Sequence, residues 1–134
     1  VQSLRSDNVT YLYSAPHVFF YDKGQGDVAR MLNYAGADLS HVLLADTHNH
    51  TLPCRYIMNP PGVNATIHQH IGLGEGEVDF DALFQALREM DFANRTFKVG
   101  GEAIITTSLF GYPEKMSVQA VETRERIERE LLGR

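Results

Sequence analysis

The residues best suited to chemistry in this chain are its histidines, and all except His41 fall into three short groups. These are His17 alone, Asp46-Thr47-His48-Asn49-His50, and His68-Gln69-His70. Imidazole is the commonest metal ligand and the side chain whose charge changes near neutral pH. In an extended segment residues i and i+2 share a side, so His68 and His70 point two imidazoles the same way. Imidazole and carboxylate together suit Zn, Mn or Fe, and ligands gathered from several strand ends make a site on a rigid scaffold. A single histidine is better explained by capping a strand or satisfying a loop carbonyl; the grouping is what points to a metal.

Other patterns carry less. Ser14, His17 and Asp46 include the residue types of a hydrolase triad, but no Gly-x-Ser-x-Gly elbow surrounds Ser14. Gly72-Leu73-Gly74-Glu75-Gly76 looks like a phosphate-cradling loop, yet it lacks the dinucleotide fingerprint and reads as a turn leading to a helix cap at Asp79. Four Asn-x-Thr sequons, at Asn8, Asn49, Asn64 and Asn94, read as coincidence in a chain that shows no signal peptide.

The elements that must hold these residues follow from periodicity. Val9–Tyr13 is β-branched and aromatic, so it reads as a strand, stopped by Pro16 and entering a loop that carries His17. Asp27 caps a helix in which Val28, Met31, Leu32 and Ala35 recur at helical spacing until Gly36. Val42–Ala45 is a continuous apolar run, the pattern of a strand buried on both faces, and it ends at Asp46. Thr51 to Glu77 is a long Pro/Gly-rich loop, and loops of that length are functional or disordered. Asp79 then caps a helix with Phe80, Leu83, Phe84 and Leu87 on one face, and Ala103–Thr107 is a third strand. A last helix from Ser117 to Leu132 turns Val118, Val121, Ile127 and Leu131 inward, with Glu122/Arg126 and Glu125/Arg129 paired on its outer face. Strand and helix thus alternate, which predicts an α/β fold with a parallel sheet and ligands at the carboxyl ends of its strands.

Composition sets the outer limits. The 134 residues are one domain's worth, 43% hydrophobic and 22% charged, so the chain should fold around a core. Its net charge of -5 argues against nucleic acid as a partner. No apolar run approaches the roughly 20 residues that span a bilayer, and Val1-Gln2-Ser3-Leu4-Arg5 has no signal-peptide pattern. The single cysteine, Cys54, fits a reducing compartment, so a cytoplasmic location is expected. The length falls far short of the about 250 residues of a complete eight-stranded β/α barrel.

Three segments together resemble a known family: Asp46-Thr47-His48-Asn49-His50; Arg55-Tyr56-Ile57-Met58-Asn59-Pro60-Pro61-Gly62; and His68-Gln69-His70 through Gly74-Glu75-Gly76-Glu77-Val78-Asp79-Phe80 to Leu87-Arg88-Glu89. They are similar to the carboxyl-terminal half of xylose isomerase-like TIM barrels, most of all to the sugar-phosphate isomerase/epimerase branch of myo-inositol catabolism. The resemblance implies part of a (β/α)8 barrel with a divalent metal, Mn, Zn, Co or Fe, at the carboxyl face. It also implies an isomerase or epimerase reaction on a small carbohydrate. On this sequence it implies metal ligation by His17, His68 and His70, proton-transfer roles for His70, Asp46 and Glu102, and substrate contacts from Arg55, His48 and His50. Three positions depart from the pattern. Ser14 stands where a carboxylate is usual, and Leu43 stands where a histidine is usual, with His41 deeper on the same strand face. Ala103 to Leu109 has no carboxylate, leaving Glu102 just before that strand. A further glutamate ligand of the superfamily would come from an earlier strand.

The chain therefore reads as one partial domain, residues 1–134, of about three β/α units. Its open sheet edges call for cover by an amino-terminal half or by another copy of the chain; a start at Val1 fits a truncated product. Two alternatives stand beside the isomerase: a catalytically degenerate carbohydrate-binding or association fragment, and a metal-dependent apurinic endonuclease, which the same superfamily contains.

Overall fold

The structure, a computed structural model, describes residue 6 and residues 8–55, 57–97 and 101–134. The chain start from Val1 to Arg5, Asp7 ahead of the first strand and Tyr56 of the Arg55–Gly62 motif lie outside the described residues. In chain order the elements are β1 (Tyr11–Ser14), α1 (Ala15–Asp22), α2 (Val28–Ala35), β2 (Leu39–Leu44), β3 (Thr51–Arg55), β4 (Asn64–Thr66), α3 (Phe80–Glu89), β5 (Ile104–Thr107) and α4 (Pro113–Ile127). Single 3-10 turns lie at Gly36–Asp38 and Phe92–Asn94, and a π-helical turn at Glu128–Leu132 ends the chain.

The predicted parallel sheet is present, in the order β1-β2-β5, and closes no barrel among the described residues. Its register aligns Tyr13 with Val42 and Ile105, and Leu12 with His41 and Ile104. The first set faces the helices. Tyr13, Val42 and Leu44 are buried with Leu32 of α2 and Leu83, Phe84 and Leu87 of α3 in one apolar cluster. Both helices start where expected: the Asp27 carboxylate accepts the Arg30 N–H and that of Asp79 accepts the Ala82 N–H, each at 2.9 Å. The second set lies on a face that no described element covers, and Ile104 there is 53% exposed. The apolar run at Val42–Ala45 predicted burial on both faces; the helices cover only one.

Three further expectations are corrected. Pro16 does not end β1 in a loop. It lies in the first turn of α1, where a residue without an N–H costs nothing, so His17 is carried by a helix. The stretch from Thr51 to Glu77 is not featureless: β3 and β4 pair antiparallel within it. The register of Thr51 with Thr66 continues to the bridge between Asp46 and Ile71, with the Ile67 N–H on the His50 carbonyl at 2.8 Å between them. The end of β2 and residues 66–71 therefore form one ribbon. Its prolines and glycines hide the alternation from a reading of composition.

The third correction concerns α4, which begins at Pro113 and presents a different face. Val118 and Val121 are 58% and 49% exposed, whereas Gln119 and Thr123 are buried. Specific polar contacts set this rotation. Gln119 Nε2 donates to Glu75 Oε2 at 2.7 Å, and the Arg126 guanidinium lies over the rings of Phe80 and Phe84 while bonding Asp81 at 2.9 Å. Arg126 is thus paired with Asp81 instead of Glu122, and the i,i+4 ion pair seen among the described residues is Arg124 with Glu128 at 3.7 Å. Ile127 and Leu131 pack on the core as expected. In urea denaturation Leu87→Ala is expected to lose about 2–5 kcal/mol, and Val118→Lys to stay within about 0.5 kcal/mol of the parent. A large loss for V118K would show that this helix face is covered.

Candidate metal centre

His17, His68 and His70 converge at the carboxyl end of the sheet, with their ligand-capable atoms all within 4.8 Å of one another. The first turn of α1 delivers His17. The return limb of the ribbon delivers the other two, pinned beside the end of β2 by the paired backbone bonds of Asp46 and Ile71 at 2.9 and 3.0 Å. Alternation turns both rings to one side and Gln69 to the other, where its Oε1 accepts the His48 N–H at 3.1 Å. His70 is buried and stacked on Phe110 with 4.5 Å between ring centres; His68 is half-buried beside Phe20; His17 faces solvent.

Hydrogen bonding decides which ring nitrogens are free. The Ser108 carbonyl can only accept, so His70 Nδ1 carries the proton in their 3.0 Å bond and Nε2 keeps its lone pair. His17 Nδ1 lies 2.6 Å from Ser14 Oγ, a hydroxyl that can donate or accept, so this contact orients the ring without fixing its tautomer. His68 Nε2 is buried without a hydrogen-bond partner, a costly state for a polar atom. Burial, followed by the neighbouring His17 and His70, lowers the His68 pKa below the ordinary 6.5. Burial and then His17 also lower that of His70, against an opposing bond to Ser108. Both effects favour neutral imidazole, the form that binds metal.

An orphaned ring nitrogen, two rings oriented by outer hydrogen bonds and two imidazoles favoured in the neutral form all fit a divalent ion. Among the described residues no carboxylate joins the cluster. Three imidazoles suit Zn or Fe better than Mn, which prefers oxygen, and they leave coordination positions open.

The other sequence-predicted residues stand elsewhere. Asp46 is fully buried and accepts four backbone N–H groups: Thr47 and Val78 at Oδ1, at 2.9 and 3.0 Å, and Gly74 and Gly76 at Oδ2, both at 2.9 Å. No triad with Ser14 forms, and the glycine-loop amides at Gly74 and Gly76 are taken by this carboxylate, so they do not cradle a phosphate. Alternation places His48 and His50 on the opposite side of the ribbon from His68 and His70, with ring centres 4.8 Å apart. His48 Nδ1 lies 3.4 Å from Glu77 Oε2, and that oxygen accepts the Asn49 N–H at 2.7 Å. This backbone bond, with His48, holds the Glu77 carboxyl below its ordinary range. Arg55 is exposed at the end of β3 and bonds the Asn59 carbonyl at 2.9 Å, bracing the hairpin tip. Glu102 precedes β5, bridged to Thr96 at the opposite end of the sheet, about 16 Å along an extended chain from Thr107. His41 bonds Thr106 Oγ1 at 2.7 Å, deeper on the uncovered sheet face. Sequence reasoning assigned no role to Ser108, Phe110, Phe20 or Glu77; Ser108 and Phe110 closely follow a strand end, Phe20 lies within α1, and Glu77 stood only as part of the resemblance segment.

A sequence model of the xylose isomerase-like TIM barrel family matches residues 1–115. The chain belongs to that family. No curated protein and no solved structure matches it. The matched stretch contains the whole histidine cluster and all three strands of the parallel sheet, which is a partial barrel of the xylose isomerase-like type. Among the described residues no helix is long and apolar enough to cross a membrane.

The lowered histidine pKa values fix a pH dependence. Below 6.5 the unfolded chain binds more protons than the folded one, so the contribution of His68 and His70 is full above that pH and declines on acidification. The melting temperature of the metal-free protein is expected to fall as pH drops below 6.5, and His68→Gln to flatten the slope. An identical slope in H68Q would remove His68 as its source.

Proposed function

We propose that this chain bears the metal centre of an isomerase or epimerase acting on a small polyol, ketose or sugar phosphate. The observation that carries this reading is the three-histidine cluster with its orphaned His68 Nε2, at the carboxyl end of a parallel sheet in a family that includes sugar isomerases and epimerases. A divalent ion bound there would polarise the substrate's carbonyl and hydroxyl oxygens and so acidify the neighbouring C–H. Ser108 and Ser14 fix the ring orientations of His70 and His17, and Phe110 and Phe20 wall the site with apolar surface. The motif likeness to the inositol-catabolism branch puts cyclic polyols and their ketones first among substrates. The uncovered sheet face calls for the rest of a barrel or a second copy as its partner.

One observation favours a second reading, a carbohydrate-binding or association form without catalysis: no carboxylate accompanies the three histidines among the described residues. The endonuclease alternative would need a basic groove, which a net charge of -5 does not favour.

The test is metal analysis of the full protein after reconstitution with Zn, Fe, Co or Mn, followed by incubation with a ketose and inosose panel in deuterated water. One equivalent of metal, lost in His68→Ala and His70→Ala, and deuterium at the substrate carbon are expected. Metal without deuterium exchange would favour the second reading, and no metal would sink both the centre and the isomerase. Cleavage of abasic DNA would replace the isomerase with the endonuclease.

A further inference from the structure

A carboxylate offers about four lone-pair sites, and all of those on Asp46 are filled by backbone N–H groups, from Thr47, Gly74, Gly76 and Val78. The side chain is wholly buried. Nothing on it remains to take a substrate proton or a metal without breaking one of these bonds. The backbone of the same residue pairs in both directions with Ile71, the residue after His70. Asp46 thus grips both ends of residues 71–78, the beginning through its backbone and the later part through its side chain.

The rest of that segment is moulded to the grip. A Cβ on Gly76 would fall 2.4 Å from Asp46 Oδ1 and 2.5 Å from the Thr47 carbonyl oxygen, so only glycine allows this approach. Glu75 turns outward to α4, where Lys115 Nζ lies 2.9 Å from its Oε1 and Gln119 Nε2 bonds its Oε2. On the other side of Ile71, His70 is held by its ring bond to Ser108 and by the Phe110 N–H on its carbonyl at 2.9 Å.

We infer that Asp46 is the positioning residue of the histidine centre: its carboxylate locks residues 71–78 into a rigid strap and so fixes where His70 stands. This differs from the proton-transfer role that the family resemblance implies. The consequence for metal rests on the functional reading above; the anchoring of the strap does not.

Two variants and two readouts separate these parts. Asp46→Asn is isosteric, but whichever way its amide is turned, two of the four N–H donors meet an NH2 group. Gly76→Ala keeps Asp46 and pushes the strap off it. In metal-free wild type the amides of Gly74, Gly76 and Val78 are expected to exchange slowly with deuterated water. In both variants these amides should exchange faster, and in His70→Ala they should stay protected. Rapid exchange in the wild type, or unchanged exchange in D46N, would overturn the anchor without requiring any variant to bind metal.

For the centre, Co(II) is the probe. Both variants should bind it about 10–100-fold more weakly, as loss of outer-shell support does, with the visible spectrum of the bound form unchanged because the ligands are intact. A spectrum altered in D46N with normal affinity in G76A would make Asp46 a ligand and overturn the inference. If wild type binds no Co(II) but the three amides are protected, the metal reading fails and the strap stands.

Discussion

A carboxylate taken out of water must have its lone pairs satisfied or it costs several kcal/mol. Asp46 meets that demand with backbone donors 28 to 32 residues further on, at Gly74, Gly76 and Val78. Much of the remaining architecture is set by this one closure. Val78 is followed at once by Asp79, the cap of α3, so the bond that ends the strap also sets where that helix starts. The helix then lays Leu83, Phe84 and Leu87 in the same apolar cluster as Val42 and Leu44 of β2, the strand that ends two residues before Asp46. Polar closure at the strand end and apolar packing along its face therefore hold the same pair of elements. The long connection is a folded part of the domain and not a floppy insertion.

The histidine centre borrows from this frame without adding a charged group to it. All three of its members are imidazoles, and His68 and His70 are pushed toward neutrality by burial and by the neighbouring His17. A divalent ion in such a site would keep its full positive charge, where a carboxylate ligand would cancel part of it. Uncancelled charge on such an ion would favour negatively charged oxygens placed beside it. The chain's overall charge of -5 does not oppose this, because charges beyond about 8–10 Å are largely screened at physiological salt.

Features with a strong local cause were legible in the sequence. The strand and helix order, the caps at Asp27 and Asp79 and the gathering of histidines at strand ends follow from short-range pattern, and all are present. What escaped depends on tertiary partners. Pro16 is compatible with a loop or with a helix start, and only the continuation of β1 into α1 decides. Val118 and Val121 fit an inward stripe, but Gln119 reaching Glu75 and Arg126 reaching Asp81 turn α4 the other way. The sequence names Asp46 as a reactive carboxylate at a strand end; that its partners are glycine amides in a distant loop leaves no local trace. Glu102 follows the same logic in reverse, close in sequence to a strand but at its wrong end.

The uncovered sheet face ties the fold to the site. Parallel strands are normally buried on both faces, yet the face with Leu12, His41 and Ile104 has no cover among the described residues. His41 spends its Nε2 on Thr106 there, so it is a wall residue beneath the centre and not a donor to it. In a closed barrel the carboxyl ends of all strands face one mouth, the end of this sheet at which His17, His68 and His70 stand. An element that covered Leu12 and Ile104 would therefore rise beside the histidines, where among the described residues no carboxylate stands.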